Sequence, residues 1–214
     1  MMQIDESTYK IKEINRYKTQ SPKTQIVLAT SLRKDNFHIT RLQHKDFGKT
    51  KKWNTYTISR SGLIYEHYDP KHHSDFLGIK EADKQSISII LENMGSLFET
   101  SDGKHINWIN EICEEDNVVE KNWLGYNHWE QFTVEQIIST VELCRELCEK
   151  YGIPKDIIDF NHYHKDITKF RGIVFRSNYI ENSSDINPLF NIEEFYEMLN
   201  NEILNEETLN DDFI

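Results

Sequence analysis

The chain has 214 residues and a net charge of −11, with 25 basic and 36 acidic side chains. This length suits one domain with a full hydrophobic core, and the acidic balance without a basic stripe excludes a nucleic-acid partner. No apolar run is long enough to cross a membrane, and the first residues lack the apolar core of a signal peptide, so we expect cytoplasmic synthesis without an export signal and no membrane partner.

The first half of the chain predicts mainly strands. Residues 1–22 are polar and end at Pro22, so we interpret them as an N-terminal arm. Short β-branched and aliphatic runs then predict strands from residue 25 and over residues 53–59, 63–68 and 86–95. Apolar residues at helical spacing predict a short helix between residues 36 and 47.

An aromatic-rich insert spans residues 96–132, with Trp108, Trp123, Tyr126 and Trp129 around an acidic segment at 111–116. Flat rings beside polar groups are typical of a lid or a carbohydrate platform. Rings of this kind also pack an insert onto its domain, because aromatic side chains bury much area. The sequence leaves both interpretations open.

A long helix is predicted from residue 134 to residue 151. Thr133 with Gln136 forms a capping box, an apolar stripe runs at helical spacing, and Gly152 and Pro154 end the helix. The stripe includes Cys144 and Cys148. The chain has three cysteines, and an odd number predicts free thiols. A second helix is predicted after residue 191, followed by an acidic tail.

The segment 172–190, GIVFRSNYIENSSDINPLF, has the layout of a strand followed by a metal-site loop. It resembles the C-terminal motif of the zinc-dependent N-acetylmuramoyl-L-alanine amidases and the peptidoglycan-recognition proteins. In that resemblance Arg176 occupies the position of the second zinc-ligand histidine and Asp185 that of the third ligand. Ser183 replaces the lysine that precedes the third ligand.

Other blocks follow in the family's order, so the resemblance covers roughly residues 23–190. The strand after residue 25 ends in Ala29, where the family has its first zinc ligand. Asn54 and Thr55 occupy a tyrosine and a histidine position, and Glu92 matches a carboxylate that some zinc amidases use near the metal. The segment 72–78, with His72 and His73, resembles the family's loop beside the cleft. The resemblance implies an α/β fold with a central mixed β-sheet flanked by helices.

The replacements at the ligand positions argue against zinc. A catalytic zinc needs three protein ligands with free lone pairs. Ala29 offers none, and Arg176 offers only hydrogen-bond donors. We therefore expect no cofactor, and predict an ion pair between Arg176 and Asp185, with Glu92 nearby. Alternative metal ligands are His162 and His164, which would share one face of a strand, or His72. Surface histidines would explain the same residues.

Three functions follow from the resemblance. The first is a zinc-less pseudo-enzyme of residues 23–190 that binds peptidoglycan or a muropeptide in a groove. Its binding residues would be Arg176, Asp185, His72, His73, Asn54 and Ser183. The second is an active amidase of the phage-lysin type, with zinc held by relocated ligands. The third is a virion component that reuses the fold and contacts other phage proteins, with residues 191–214 forming a C-terminal helix and tail.

Overall fold

The computed structural model describes residues 3–34, 51–160, 162–181, 183 and 185–201. The strands are β1 (Ile4–Asp5), β2 (Gln25–Thr30), β3 (Tyr56–Ile58), β4 (Ile64–Glu66), β5 (Ser86–Leu91), β6 (Ser96–Glu99), β7 (His105–Ile106), β8 (Val118–Trp123), β9 (Tyr126–Glu130) and β10 (Gly172–Phe175). The α-helices are α1 (Lys80–Gln85), α2 (Val134–Tyr151) and α3 (Ile192–Asn200). The predicted fold class, a mixed sheet flanked by helices, is confirmed.

The central sheet has the strand order β1-β4-β3-β5-β2-β10. All neighbouring pairs are parallel except β3 and β4, which form an antiparallel hairpin. Every residue of β2, β5 and β10 is buried. This explains why these strands read as continuous apolar or small-residue runs, because a parallel strand covered on both faces has no solvent side.

The main core lies between the central sheet and α2. The Thr133 side chain accepts a hydrogen bond from the Gln136 N–H, and Gly152 ends the helix in the left-handed conformation at φ +63°. The predicted long helix is therefore confirmed at both ends. Cys144 and Cys148 are buried in this core as free thiols, as predicted, and burial raises the pKa of Cys148 to about 11.

The insert forms a second, antiparallel sheet in the order β7-β6-β9-β8. The chain enters it at Gly95, where φ is +75° and a β-carbon would lie 2.6 Å from Leu32 Cδ2. Trp129 is fully buried, and its ring lies 5.4 Å from that of Trp123 and 5.6 Å from that of Tyr126, measured between centroids. These three rings therefore pack the insert, whereas Trp108 is 62% exposed.

Several boundaries differ from the sequence expectation. The predicted strands over 53–59, 63–68 and 86–95 are shorter, because each ladder ends where the chain turns into the next loop. β1, from the N-terminal arm, extends the central sheet beside β4. The helix predicted between residues 36 and 47 and the acidic tail lie outside the described residues. Within the described part of the chain, no helix is long and apolar enough to cross a membrane.

Candidate functional site

Four parallel strands, β3, β5, β2 and β10, end at the same edge of the central sheet. Ligand sites of α/β folds lie beyond the carboxyl ends of such strands. Ala29 follows Leu28 and Arg176 follows Phe175, and Leu28 and Phe175 are register partners. The positions that the resemblance assigns to two zinc ligands are therefore neighbours across β2 and β10.

Asp185 lies at this edge with both carboxylate oxygens engaged. Arg176 donates from Nε to Oδ2 at 2.5 Å and from Nη2 to Oδ1 at 2.8 Å. The backbone N–H of Thr30 donates to Oδ1 at 2.9 Å. The Thr30 hydroxyl, which has one proton, lies within hydrogen-bond reach of both the Asp185 carbonyl and Oδ1. The predicted ion pair is confirmed, and it is a bidentate pair around a carboxylate that is only 2% exposed.

The backbone around Arg176 is fixed by its neighbours. Arg176 opens the single-turn 3-10 helix Arg176–Asn178, and the Asn178 side chain accepts a hydrogen bond from the Phe175 N–H at 2.7 Å. The guanidinium also donates from Nη2 to the Thr30 carbonyl at 3.1 Å and lies 5.6 Å from the centre of the Phe76 ring. Arg176 thus has a defined geometry, with 24% of its side chain exposed.

The residues at this edge do not fit the zinc ion that the resemblance implies. Ala29 is buried in β2 and carries only a methyl group. The Asp185 oxygens are already occupied by the donors of Thr30 and Arg176. A guanidinium about 4 Å from a dication would add a repulsion of roughly 8 kcal/mol at an effective dielectric near 20. The permanent charge of Arg176 therefore stands where a cation would otherwise balance Asp185.

Glu92 directly follows β5 and is fully buried. Its N–H donates to the Ile58 carbonyl at 2.9 Å, and its own carbonyl accepts a hydrogen bond from Gln136 Nε2 at 3.0 Å. Gln136 also donates to the Ile58 carbonyl at 3.0 Å, so α2 bridges the ends of β3 and β5. These bonds fix the backbone of Glu92 at the same edge as Arg176.

The other predicted binding residues occupy different surroundings. Asn54 is buried, and its side chain donates to the Tyr56 carbonyl at 2.6 Å and to Thr57 Oγ1 at 2.8 Å, so it shapes the start of β3. His73 is buried and stacks on Tyr17 with ring centroids 4.7 Å apart. His72 is buried next to it, and burial lowers the pKa of both histidines. Ser183 is partly buried.

The alternative metal ligands are not arranged as expected. His162 and His164 do not lie on a strand but in the segment between α2 and β10, so the predicted shared strand face is wrong. His162 is exposed and His164 partly buried. The described residues contain one group of three potential ligands, which is formed by Glu99, His105 and His128 in the second sheet. No sequence pattern indicated this group. The hydrogen bonds from Thr30 to Asp185 were also not predicted, and the only pointer to Thr30 was its place next to Ala29.

Comparison with known sequences supports the resemblance over most of the chain. The profile of the family described as N-acetylmuramoyl-L-alanine amidase matches residues 18–172. The match ends at Gly172, so Arg176 and Asp185 lie beyond it. No curated protein sequence matches the chain.

Solved structures share the fold at low sequence identity. A mutant endolysin from Bacillus subtilis has a TM-score of 0.56 and 12% identity, over 93% of this chain and 99% of that one. The N-acetylmuramoyl-L-alanine amidase LysC from Clostridium intestinale URNW has a TM-score of 0.53 and 13% identity, over 94% and 97%. The amidase AmiD from E. coli, in complex with the substrate anhydro-N-acetylmuramic acid-L-Ala-D-gamma-Glu-L-Lys, has a TM-score of 0.55 and 14% identity, over 85% and 60%.

Proposed function

The chain belongs to the N-acetylmuramoyl-L-alanine amidase family, and we propose that it is a peptidoglycan-directed member that binds the cell wall without zinc-dependent cleavage. The direction toward peptidoglycan is supported by the family and by the fold that the chain shares with amidases and endolysins. It is supported further by AmiD, a protein of the same fold that has been seen with a muropeptide substrate.

The proposed loss of cleavage rests on one observation. Arg176 and Asp185, at positions that the resemblance assigns to zinc ligands, form a bidentate ion pair. Zinc amidases need a metal-bound water whose pKa is lowered toward neutrality. At this edge the potential third ligand is saturated with hydrogen bonds, and the second position carries a cation. Binding of a wall fragment needs neither a metal nor an activated water, so it is compatible with this arrangement.

Arg176 also supplies a chemical reason for binding. About a quarter of its side chain is exposed, at the edge where ligands of α/β folds lie. A muropeptide carries free carboxylates on its peptide, and a guanidinium whose Nε and Nη2 are bound within the protein can still donate to such a carboxylate through Nη1. We therefore assign Arg176 two contacts: Nε and Nη2 bind Asp185 inside the protein, and Nη1 binds a carboxylate of the wall peptide.

The test measures binding and cleavage on the same material. Purified peptidoglycan is incubated with the full chain, and bound protein is separated by sedimentation while the supernatant is assayed for released stem peptide. We expect saturable binding and no release. The Arg176→Lys variant keeps the charge but loses the planar fork, and it should bind about tenfold more weakly, the loss expected for one charge-assisted contact. The matched control is Arg171→Lys, at an exposed arginine, which should bind like the wild type.

Two outcomes would overturn the proposal. Release of stem peptide that a chelator abolishes would identify an active amidase with relocated ligands. Absence of binding to peptidoglycan, combined with stoichiometric recovery of the chain in phage particles, would identify a virion component instead.

A further inference from the structure

We propose that the second sheet contains a transition-metal site, of the kind that takes Zn²⁺, formed by Glu99, His105 and His128. One ligand atom from each of these side chains lies within 4.8 Å of the others. The site belongs to the aromatic insert and is separate from the Arg176–Asp185 edge. It does not depend on the proposed function, because a metal here would neither replace nor restore the ligands at Ala29 and Arg176.

The strand register brings the three side chains together. Glu99 on β6 is the direct antiparallel partner of His105 on β7. His128 on β9 is the partner of Leu97 on the other side of β6. Since residues two apart on a strand share a face, Leu97 and Glu99 point the same way, and His128 lies diagonally across from Glu99. The imidazole rings of His105 and His128 lie 4.4 Å apart between centroids.

His105 has the environment of a metal-ligating histidine. Its side chain is buried, and its Nε2 atom has no hydrogen-bond partner among the described residues. Its Nδ1 atom lies 3.3 Å from Glu115 Oε2. Ligating histidines commonly hold a carboxylate on one ring nitrogen and the metal on the other, which fixes the tautomer and the ring orientation. A buried polar atom without a partner is unusual in folded proteins, and a bound metal would explain this one.

The donor set selects the class of metal. Two imidazoles and one carboxylate suit Zn²⁺ and neighbouring transition metals, whereas Ca²⁺ and Mg²⁺ prefer oxygen ligands alone. Bonds of about 2.0–2.2 Å would place the ligand atoms roughly 3.4 Å apart around a tetrahedral ion. The group must therefore contract slightly, and Glu99, which is exposed, is free to move onto the ion. Three protein ligands leave a fourth position for water.

A structural role follows from the position of the site. β7 has only two residues and pairs with β6 alone among the strands of this sheet. An ion shared by β6, β7 and β9 would reinforce the β6–β7 and β6–β9 pairings, each of which covers two register pairs. It would also offset negative charge, because the carboxylate of Glu115 lies beside His105.

The site can be tested with zinc itself. The full chain is stripped with a chelator, and Zn²⁺ binding is measured by calorimetry, with Co²⁺ as a spectroscopic probe of imidazole ligation. We expect one equivalent of Zn²⁺ and a Co²⁺ absorption spectrum typical of tetrahedral coordination. The double variant His105→Gln/His128→Gln should bind at least 100-fold more weakly, and Glu115→Gln about tenfold more weakly at unchanged stoichiometry. His162→Gln, at an exposed histidine outside the group, is the matched control and should bind like the wild type.

Folding of each variant is checked by circular dichroism without metal. If the double variant does not fold, the single variant His128→Gln, at a partly buried position, and the nitrogen chemical shifts of the wild-type imidazoles on adding Zn²⁺ replace it. Absence of zinc binding by the wild type would overturn the site. Binding that survives in the folded His105 and His128 variants would overturn it as well.

Discussion

Asp185, at the edge of the central sheet, and His105, in the second sheet, differ in how their buried polar atoms are satisfied. At the edge, both oxygens of Asp185 receive hydrogen bonds from Arg176 and Thr30. In the second sheet, the buried Nε2 atom of His105 has no hydrogen-bond partner among the described residues, although it belongs to a group of potential metal ligands. The position that the resemblance assigns to a zinc ligand therefore carries its own cation, and the metal site that we propose lies in the insert.

This difference decides how a metal measurement on the whole chain must be interpreted. One equivalent of zinc would come from the insert if our inference is right, and would say nothing about cleavage. A measurement on the His105→Gln/His128→Gln variant separates the two regions, because it removes ligands from the insert and leaves the edge intact.

The largest effect is expected from rebuilding the family's ligand set at the edge. On the His105→Gln/His128→Gln background, Ala29→His with Arg176→His would supply two imidazoles beside Asp185. We expect a new zinc site with a Kd in the micromolar range, about 8 kcal/mol of binding free energy, measured by calorimetry. Histidine at the fully buried position 29 should itself destabilise the fold by about 1–3 kcal/mol through overpacking.

The matched control for this experiment is Ala29→His alone on the same background, in which Arg176 remains. It should bind no zinc, because the guanidinium still occupies Asp185. Zinc binding by the single variant would show that Arg176 does not block the edge, and the contrast between the two regions would disappear.

The next largest effect is expected from removing the cation at the edge. Arg176→Ala leaves the buried carboxylate of Asp185 with Thr30 as its remaining partner. Breaking one side of a buried ion pair typically lowers the free energy of unfolding by about 3–5 kcal/mol, which urea denaturation at pH 7 would measure. Arg171→Ala, at an exposed site, should change it by less than about 0.5 kcal/mol. An Arg176→Ala variant as stable as the wild type would mean that solvent or an ion already balances Asp185.

His67, which lies outside the insert, offers a comparison with His105, because both ring nitrogens of His67 have hydrogen-bond partners. His67 is fully buried like its neighbours in the central sheet, but its Nε2 lies 2.8 Å from Thr57 Oγ1 and its Nδ1 2.9 Å from the Tyr9 carbonyl. Burial lowers the pKa of His67 to about 4. In the unfolded chain this histidine has an ordinary pKa of about 6.5, so the unfolded chain binds a proton at a higher pH than the folded chain does. The stability that neutral His67 contributes is therefore complete above about pH 6.5 and is lost as pH falls toward 4.

Between pH 7.5 and pH 4.5 this loss should amount to about 2–3 kcal/mol of unfolding free energy. Burial raises the pKa of Asp83 to about 6, which gives the opposite slope in the same range. The measurement therefore compares urea denaturation of the wild type with that of His67→Gln at both pH values, since the contribution of Asp83 cancels in the difference. An equal pH dependence of the two proteins would contradict the assignment to His67.

The strands of the central sheet, α2 and the Arg176–Asp185 pair were predicted from consecutive residues or from the order of motifs along the chain, and the sheet itself from the family resemblance. Apolar blocks that follow in the family's order predicted the strands. The capping residue Thr133 and the terminating residue Gly152 predicted the two ends of the helix. The pair followed from two motif positions that are nine residues apart.

The second sheet was not predicted, because its strands are short and partly exposed and show no clear alternation. The metal-ligand group was missed for a related reason. Glu99, His105 and His128 come together only through the register of β6 with β7 and β9, and composition carries no information on register. The aromatic rings of the insert show the same limitation of sequence patterns. Trp129 is buried and Trp108 is exposed, and this difference depends on tertiary packing that the sequence pattern does not specify.

The smallest effect is expected from Thr30, the partner of Asp185 that the sequence did not identify. Thr30→Val keeps the shape of the side chain and the backbone N–H bond to Oδ1, but it removes the hydroxyl that contacts the Asp185 carbonyl and Oδ1. Loss of this hydrogen bond should lower the free energy of unfolding by about 0.5–1.5 kcal/mol. The matched control is Thr140→Val in α2, whose buried hydroxyl donates to the Gln136 carbonyl one turn earlier, a local bond that should matter less. If Thr140→Val proves as destabilising as Thr30→Val in urea denaturation, the hydroxyl of Thr30 adds nothing specific at the edge. The ion pair with Arg176 would then account for the stabilisation of the buried Asp185 carboxylate.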